Sequence, residues 1–167
     1  MNFVHIPKTG GSSIATALGI QQHQHAPASW TPRPRFTFVR HPLDRFISAW
    51  EFGRKRTRIK DAALTEKALR AQLDGPQPWM RDADGRIVIT TDLTMRPQVN
   101  WVDAEMDFIG RFENLEEDFA KLSPAKLPHL NASERRAWQE YFTPLLFRIA
   151  VDYYLKDFET FGYPIEL

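Results

Sequence analysis

The stretch FVHIPKTGGSSIATAL, residues 3–18, decides the fold of this chain. It begins with a short apolar run, passes through a Pro-Lys-Thr-Gly-Gly turn and continues into a helical pattern. In that pattern Ile14, Ala17 and Leu18 recur at i, i+3 and i+4, and Gly19 follows where a helix would end. The stretch therefore predicts a strand, a glycine loop and a helix, an arrangement that holds phosphate groups.

The loop offers several groups to an anion. Gly10 and Gly11 let successive backbone N–H groups point into one concavity, and the two serines that follow add hydroxyl donors. Lys8 adds a mobile cation. The loop differs from the Walker A motif, G-x-x-x-x-G-K-[ST], because Lys8 precedes both glycines. An ordinary tight turn between a strand and a helix is the alternative interpretation.

Length and composition favour one folded α/β domain, residues 1–167. Hydrophobic residues make up 43% of the chain and aromatic residues 13%, which is typical of a globular fold and not of a disordered one. The net charge of +1 gives no overall field that would attract nucleic acid or a membrane. The absence of cysteine excludes disulfides, zinc–thiolate sites and cysteine nucleophiles.

The patterns of apolar and charged residues predict the cellular location of the protein and the segment that binds an anionic ligand. No charged-then-apolar segment precedes Phe3, and no apolar run approaches the roughly 18 residues that cross a bilayer. We therefore expect a soluble, cytoplasmic protein without stable membrane insertion. Residues 33–60 hold nine Lys or Arg against two acidic residues, so an anionic ligand is expected there.

A second strand-then-helix pattern follows between residues 36 and 58. The run FTFV, residues 36–39, predicts a strand, and Pro42 stands at a first helical position, where its missing N–H has no consequence. The buried face of the helix is expected to carry Leu43, Phe46, Ile47 and Trp50, and its polar face Asp44, Arg45, Ser48 and Glu51.

The rest of the chain predicts further elements of the same kind. Residues 106–113 predict a third strand, and Asn114 with Glu117 predicts a capping box at the next helix. Residues 84–85 suggest the turn of a small hairpin or lid, and residues 143–144 start the last helix. No repeat or linker interrupts these elements, which indicates a single α/β unit.

Separated stretches of the chain together resemble one enzyme family. They are HIPKTGGSS (5–13), FTFVRHPLDRFISAW (36–50), DFIGRFENL (107–115), LPHLN (127–131) and DFETFGY (157–163). In this order they are similar to carbohydrate sulfotransferases that use 3′-phosphoadenosine 5′-phosphosulfate (PAPS), in the branch with the 2-O-type and bacterial members. We accordingly expect a three-layer fold like that of P-loop NTPases, with a short central parallel sheet flanked by helices.

The resemblance also implies which residues bind the cofactor. The 5′-phosphosulfate loop would consist of Pro7, Lys8, Thr9, Gly10, Gly11, Ser12 and Ser13. Arg40 and Ser48 would contact the 3′-phosphate, and the position of Arg40 after a strand agrees with the usual ligand site of open α/β sheets. Arg111 and the loop with Asn131 and Ser133 are expected near the nucleotide. For Arg111, a structural ion pair at the strand end is the alternative.

Charge suggests how the reaction would run. A sulfuryl group carries less charge than a phosphoryl group, so no metal is expected. Lys8 would stabilise the leaving group as an oxyanion-hole donor does. The family often places a histidine base between the two cofactor motifs, and His25 fits that placement best, with His23 second; a carboxylate is the remaining possibility. His5 and His41 are expected to be structural.

The predicted activity is sulfuryl transfer from PAPS to a hydroxyl of a carbohydrate or glycoconjugate, with release of 3′,5′-ADP. Only residues 14–39 separate the two cofactor motifs, fewer than relatives usually have, which implies a shortened acceptor-binding segment. That shortening is the support for a first alternative, a non-catalytic nucleotide-binding module. A second alternative is an ATP-dependent kinase, against which the position of Lys8 argues.

Overall fold

A short parallel sheet lies at the centre of the protein. The structure is a computed structural model that describes residues 1–20, 25–57, 63–73, 79–81, 87–89, 93–130 and 135–167. The strands are β1 (Asn2–Phe3), β2 (Arg35–Val39), β3 (Trp79–Arg81), β4 (Ile87–Ile89) and β5 (Phe108–Arg111). Strands β1, β2 and β5 form the parallel sheet in the order β1-β2-β5, while β3 and β4 form a separate antiparallel pair.

Helices cover both faces of this sheet. They are α1 (Gly11–Ala17), α2 (Pro42–Thr57), α3 (Glu66–Leu73), α4 (Leu115–Ala120) and α5 (Pro144–Phe161). Short 3₁₀ turns lie at Ala28–Trp30, Gln98–Asn100, Phe112–Asn114 and Trp138–Tyr141. In the described part of the chain, no helix is long and apolar enough to span a membrane.

The alternation of side chains along β2 creates two apolar cores. Phe36 and Phe38 face one side, where they pack with Ile14 of α1 and Phe119 of α4. Val39 faces the other side and belongs to the larger core, which is built mainly from α2, α3 and α5. Because both faces of the sheet are covered, β2 is buried along its whole length.

One glycine allows the middle and edge strands to pack. Gly110 of β5 pairs in register with Phe38 of β2. A Cβ atom at Gly110 would lie 2.4 Å from the Phe38 ring, so any larger residue there would displace this ring from the core. Glycine at this position keeps the carboxyl end of β5 beside that of β2.

Most of the predicted elements are confirmed. The strand at residues 36–39 and the helix that starts at Pro42 are present. Strands β3 and β4 pair antiparallel, which favours a hairpin over a lid, while the turn predicted at residues 84–85 lies outside the described residues. Thr143 caps α5, since its Oγ1 accepts a hydrogen bond from the Leu146 N–H at 3.3 Å. The described architecture is a mixed α/β fold with a short parallel sheet flanked by helices, as expected.

Two local expectations were wrong. The capping box at Asn114 is absent, because the residues before it form a 3₁₀ turn that continues directly into α4, and the Asn114 side chain caps nothing. The strand predicted at residues 106–113 is also shorter than expected, because β5 covers only Phe108–Arg111. The first strand, β1, is very short. It ends at Phe3, and after one more bond, from the Val4 N–H to the Phe36 carbonyl at 2.8 Å, the chain leaves the sheet and enters the loop.

Candidate active site

A cleft of about 1560 Å³ opens at the carboxyl ends of the three parallel strands. The residues that follow β1, β2 and β5 all reach it, as expected for an open α/β sheet. Its lining includes Pro7, Lys8, Gly10, Ser12 and Ser13 of the loop, His5 and His25, then Arg40, Asp44, Ser48, Phe52 and Lys55, then residues 112–117, and Arg135.

The loop contains two residues with positive φ, a backbone conformation that most residue types rarely adopt. Gly10 takes a left-handed conformation with φ of 82° at the start of α1, and Lys8 has φ of 70°. Lysine in this conformation is uncommon, and such outliers cluster at functional sites. Thr9 is fully buried and its hydroxyl donates to the Ile6 carbonyl at 2.8 Å. Thr9 therefore shapes the loop from inside and does not line the cleft.

Gly11 is required by the imidazole of His5. A Cβ atom at Gly11 would lie 1.9 Å from His5 Nε2, so the ring occupies the space of the missing side chain. The ring also stacks on Phe3, with centroids 5.3 Å apart. Burial lowers the pKa of His5 to about 3, which makes it a neutral packing group at physiological pH. These contacts support the structural role expected for His5.

His25 is held at the cleft by its neighbours in two ways. Its Nδ1 lies 2.8 Å from the main-chain oxygen of His5, and its own carbonyl accepts from Trp101 Nε1 at 3.0 Å. Because a carbonyl oxygen only accepts, Nδ1 must carry the proton of the neutral ring, which leaves the Nε2 lone pair as an acceptor. Burial lowers the pKa of His25, so the ring is neutral at pH 7.

Lys8 lies among other positive charges. Its Nζ is 4.2 Å from the centroid of the Phe52 ring. Burial lowers the pKa of the Lys8 ammonium, and nearby positive charges, those of Arg40, Arg135 and Lys55, act in the same direction. A group of cations that disfavour one another is stabilised by an anion, so this part of the cleft fits a phosphate ligand.

Arg40 is oriented by four hydrogen bonds from different elements. Its Nε lies 2.7 Å from Asp44 Oδ2, and its NH1 donates to the Lys8 carbonyl at 3.2 Å. The guanidinium also lies 4.0 Å above the Phe112 ring. The Gln98 side chain makes two hydrogen bonds to the main chain of Arg40. Its Oε1 accepts from the Arg40 N–H at 2.9 Å, and its Nε2 donates to the Arg40 carbonyl at 2.8 Å.

Gln98 depends in turn on a buried carboxylate of α5. Asp157 is fully buried, and its Oδ2 accepts from the Gln98 N–H at 2.8 Å while its Oδ1 accepts from the Val99 N–H at 2.9 Å. Burial raises the pKa of Asp157. Sequence reasoning did not identify this pair, because no local pattern connects residues 98 and 157. Together they fix the position of the Arg40 backbone at the end of β2.

Arg45 was wrongly assigned to the polar face of α2. The side chain is fully buried and donates to three carbonyls, those of Thr94 at 2.9 Å, Pro7 at 3.4 Å and Arg96. It thereby ties the phosphate loop to the segment after β4. Its planar fork of donors satisfies several carbonyls at once, which explains how an arginine is tolerated inside.

Arg111 is directed away from the cleft. Its guanidinium donates to the Phe161 carbonyl and lies 4.5 Å above the Tyr163 ring, and its N–H donates to Asp118 at 2.8 Å. It therefore joins the end of β5 to the end of α5. These contacts favour the structural alternative over the cofactor contact expected from the sequence.

His41 and three residues outside the described ranges complete the set singled out from the sequence. His41 stacks on Trp138 with centroids 4.6 Å apart, which supports the structural role expected for it. His23, Asn131 and Ser133 lie outside the described residues, so their roles stay predictions. Within the described ranges, no group of three or more His, Asp or Glu side chains is arranged to hold a metal ion.

Comparison with known proteins bears on this geometry. The model of one family, described as the sulfotransferase family, matches residues 1–164. The chain belongs to the sulfotransferase family. Sulfuryl transfer is the reaction of this sulfotransferase family. No curated protein and no solved structure matches the chain at a significant level.

Proposed function

We propose that the protein is a PAPS-dependent sulfotransferase that transfers a sulfuryl group to a hydroxyl of a carbohydrate or glycoconjugate and releases 3′,5′-ADP. The observation that carries the proposal is that four residues from distant parts of the sequence line one cleft. They are Lys8, His25, Arg40 and Ser48. Family membership supports the transfer, and the strand, loop and helix around Lys8 support a P-loop-like fold.

The side chains at the cleft fit a nucleotide with two phosphate groups. Lys8 and the Gly10 turn would hold the 5′-phosphate, because the loop presents a cation beside a left-handed glycine. Arg40, at the end of β2, and Ser48, two turns along α2, would hold the 3′-phosphate. When bound, PAPS would supply the sulfuryl group and leave as 3′,5′-ADP.

The chemistry of this chain would then be divided between two side chains. The lone pair of His25 Nε2 would accept the proton of the attacking hydroxyl, because the bond from Nδ1 to the His5 carbonyl leaves Nε2 unprotonated. The Lys8 ammonium would stabilise the negative charge that develops on the leaving oxygen. His23 remains the second candidate for the base.

The acceptor is proposed from the resemblance to carbohydrate sulfotransferases. Phe52, 45% exposed, lines the cleft one turn after Ser48, and an exposed aromatic ring is a suitable surface for a sugar. The proposed reaction needs a hydroxyl group within reach of His25. A carbohydrate supplies such a group.

Two measurements test the proposal. A thermal-shift comparison of 3′,5′-ADP with ATP plus Mg²⁺ distinguishes a sulfotransferase from a kinase, and we expect stabilisation by 3′,5′-ADP. Transfer from ³⁵S-labelled PAPS to a panel of polysaccharides tests turnover, with Arg40→Ala as the inactive reference. Binding of 3′,5′-ADP without any transfer would favour the non-catalytic module, and preference for ATP would contradict the proposal.

A further inference from the structure

Two arginines meet on a single carboxylate in the wall of the cleft. Arg40 places its Nε 2.7 Å and its NH2 2.6 Å from Asp44 Oδ2. Arg135, 91 residues after Asp44, donates from its NH2 to the other oxygen, Oδ1. The three side chains are 10%, 20% and 12% exposed for Arg40, Asp44 and Arg135 respectively, so all three are largely withdrawn from water.

The charges in this group do not balance. Two guanidinium groups face one carboxylate, which leaves one positive charge uncompensated. Glu113 also acts electrostatically on Arg40 and offsets part of this excess, while its two oxygens accept from the His41 N–H at 2.7 Å and the Tyr163 hydroxyl at 2.9 Å. Lys8 and Lys55 add two further positive charges beside these arginines, so the excess remains. This part of the cleft therefore attracts a further anion.

We propose that Arg135 is a further ligand of the 3′-phosphate, and that Asp44 is the positioning residue that holds it beside Arg40. The inference rests on the proposed function, because Arg40 and Ser48 define where that phosphate lies. A phosphate monoester carries nearly two negative charges and three acceptor oxygens, more than one carboxylate offers. A guanidinium has five N–H donors, so Arg135 can keep its bond to Asp44 and still donate to the phosphate.

Calorimetry of the full chain with two nucleotides tests this role. Arg135→Gln should lower the affinity for 3′,5′-ADP about 10- to 100-fold, as for loss of a charge-assisted contact. The affinity for 5′-AMP should change less than about 2-fold, because 5′-AMP has no 3′-phosphate. Arg136→Gln is the matched control: it removes the same charge at the same cleft, but that guanidinium lies 4.8 Å above the Tyr141 ring. It should change neither affinity more than about 2-fold.

The outcomes separate this inference from the proposed function. If Arg40→Ala removes the preference for 3′,5′-ADP and Arg135→Gln leaves it intact, Arg135 is not a ligand and the proposed function stands. If the wild-type chain binds both nucleotides equally, the proposed function fails, and the inference with it. Should Arg135→Gln not fold, Arg135→Lys serves instead, because lysine keeps the charge and loses the planar fork; we expect an affinity loss of about 3- to 10-fold.

A double-mutant cycle tests the role of Asp44. In the Asp44→Asn background, Arg135 loses the carboxylate that holds it, so Arg135→Gln should then lower the 3′,5′-ADP affinity by less than about 3-fold. Thermal unfolding of Asp44→Asn alone establishes that the background is folded. An equal loss from Arg135→Gln in both backgrounds would show that Asp44 does not position Arg135, and would overturn that half of the inference.

Discussion

His25 Nδ1 lies 2.8 Å from the main-chain oxygen of His5, two residues before the phosphate loop begins. The two imidazole rings are 4.3 Å apart between centroids. This relationship fixes the tautomer of His25 and couples the position of its Nε2 to the loop that carries Lys8. A base and a loop from different parts of the chain are thus held in one geometry.

Replacement of His25 should affect rate without affecting cofactor binding. His25→Ala removes the Nε2 acceptor, and turnover of PAPS should fall about 10²–10⁴-fold, as for loss of a general base. Affinity for 3′,5′-ADP, measured by calorimetry, should stay within about 2-fold of wild type. If His25→Ala keeps full activity while His23→Ala loses it, the base is His23. If both variants stay active, the base is a carboxylate.

The apparent pKa of the acid limb of the pH–rate profile should lie below the ordinary pKa of histidine. Burial lowers the pKa of His25 from its ordinary value of 6.5, and the base must be neutral to accept a proton. Activity should therefore be retained as the pH falls to 6.5 and decline only at lower values. The check is kcat/KM between pH 4.5 and 8.5. An acid limb centred above pH 6.5 would contradict a buried His25 as the base.

Replacement of Lys8 should affect both rate and binding. Lys8→Ala removes the cation beside the proposed 5′-phosphate, so turnover should fall about 10²–10³-fold and 3′,5′-ADP should bind more weakly. Phe52→Leu is the control, because it removes the ring 4.2 Å from the Lys8 ammonium and leaves the charge in place. We expect Phe52→Leu to retain most of the cofactor affinity. A Lys8→Ala variant with normal turnover would exclude the proposed role.

Two glycine-to-alanine changes should have opposite effects on stability. Gly11→Ala places a Cβ atom 1.9 Å from His5 Nε2 and should destabilise the fold by about 1–3 kcal/mol or more. Gly53→Ala, inside α2, meets nothing within 4 Å and should stabilise by about 0.5–1 kcal/mol, because alanine is the better helix former. Chemical denaturation measures both. A Gly11→Ala variant with the same free energy of unfolding as the wild type would show that the His5 ring moves aside freely.

Mild acid should destabilise the protein through His5. Its pKa is about 3 in the folded state and 6.5 in the unfolded chain, so below pH 6.5 only the unfolded chain binds a proton there. The stability present above pH 6.5 is thus lost as the pH falls towards 3, with about 2 kcal/mol lost at pH 5. His5→Phe should show a correspondingly smaller difference between pH 7.5 and pH 5 in denaturation experiments. An unchanged difference would contradict a neutral, buried His5.

Local signals in the sequence determined much of the framework. The glycine loop, Pro42 at the start of α2, Thr143 at the start of α5 and the apolar run at 36–39 each depend on residues a few positions apart. Such signals act through backbone conformation and nearest neighbours, so they can be recognised without a structure. The motif order around Lys8 and Arg40 likewise indicated the family.

The tertiary structure decided how the site is held together. That Arg45 is buried, that Gln98 and Asp157 hold Arg40, and that Arg135 reaches Asp44 are all consequences of contacts between distant segments. A polar residue on a helix looks solvent-exposed in sequence, because periodicity does not record which carbonyls another segment will bring to it. Buried polar groups must find partners wherever the fold provides them, and only the folded chain identifies those partners.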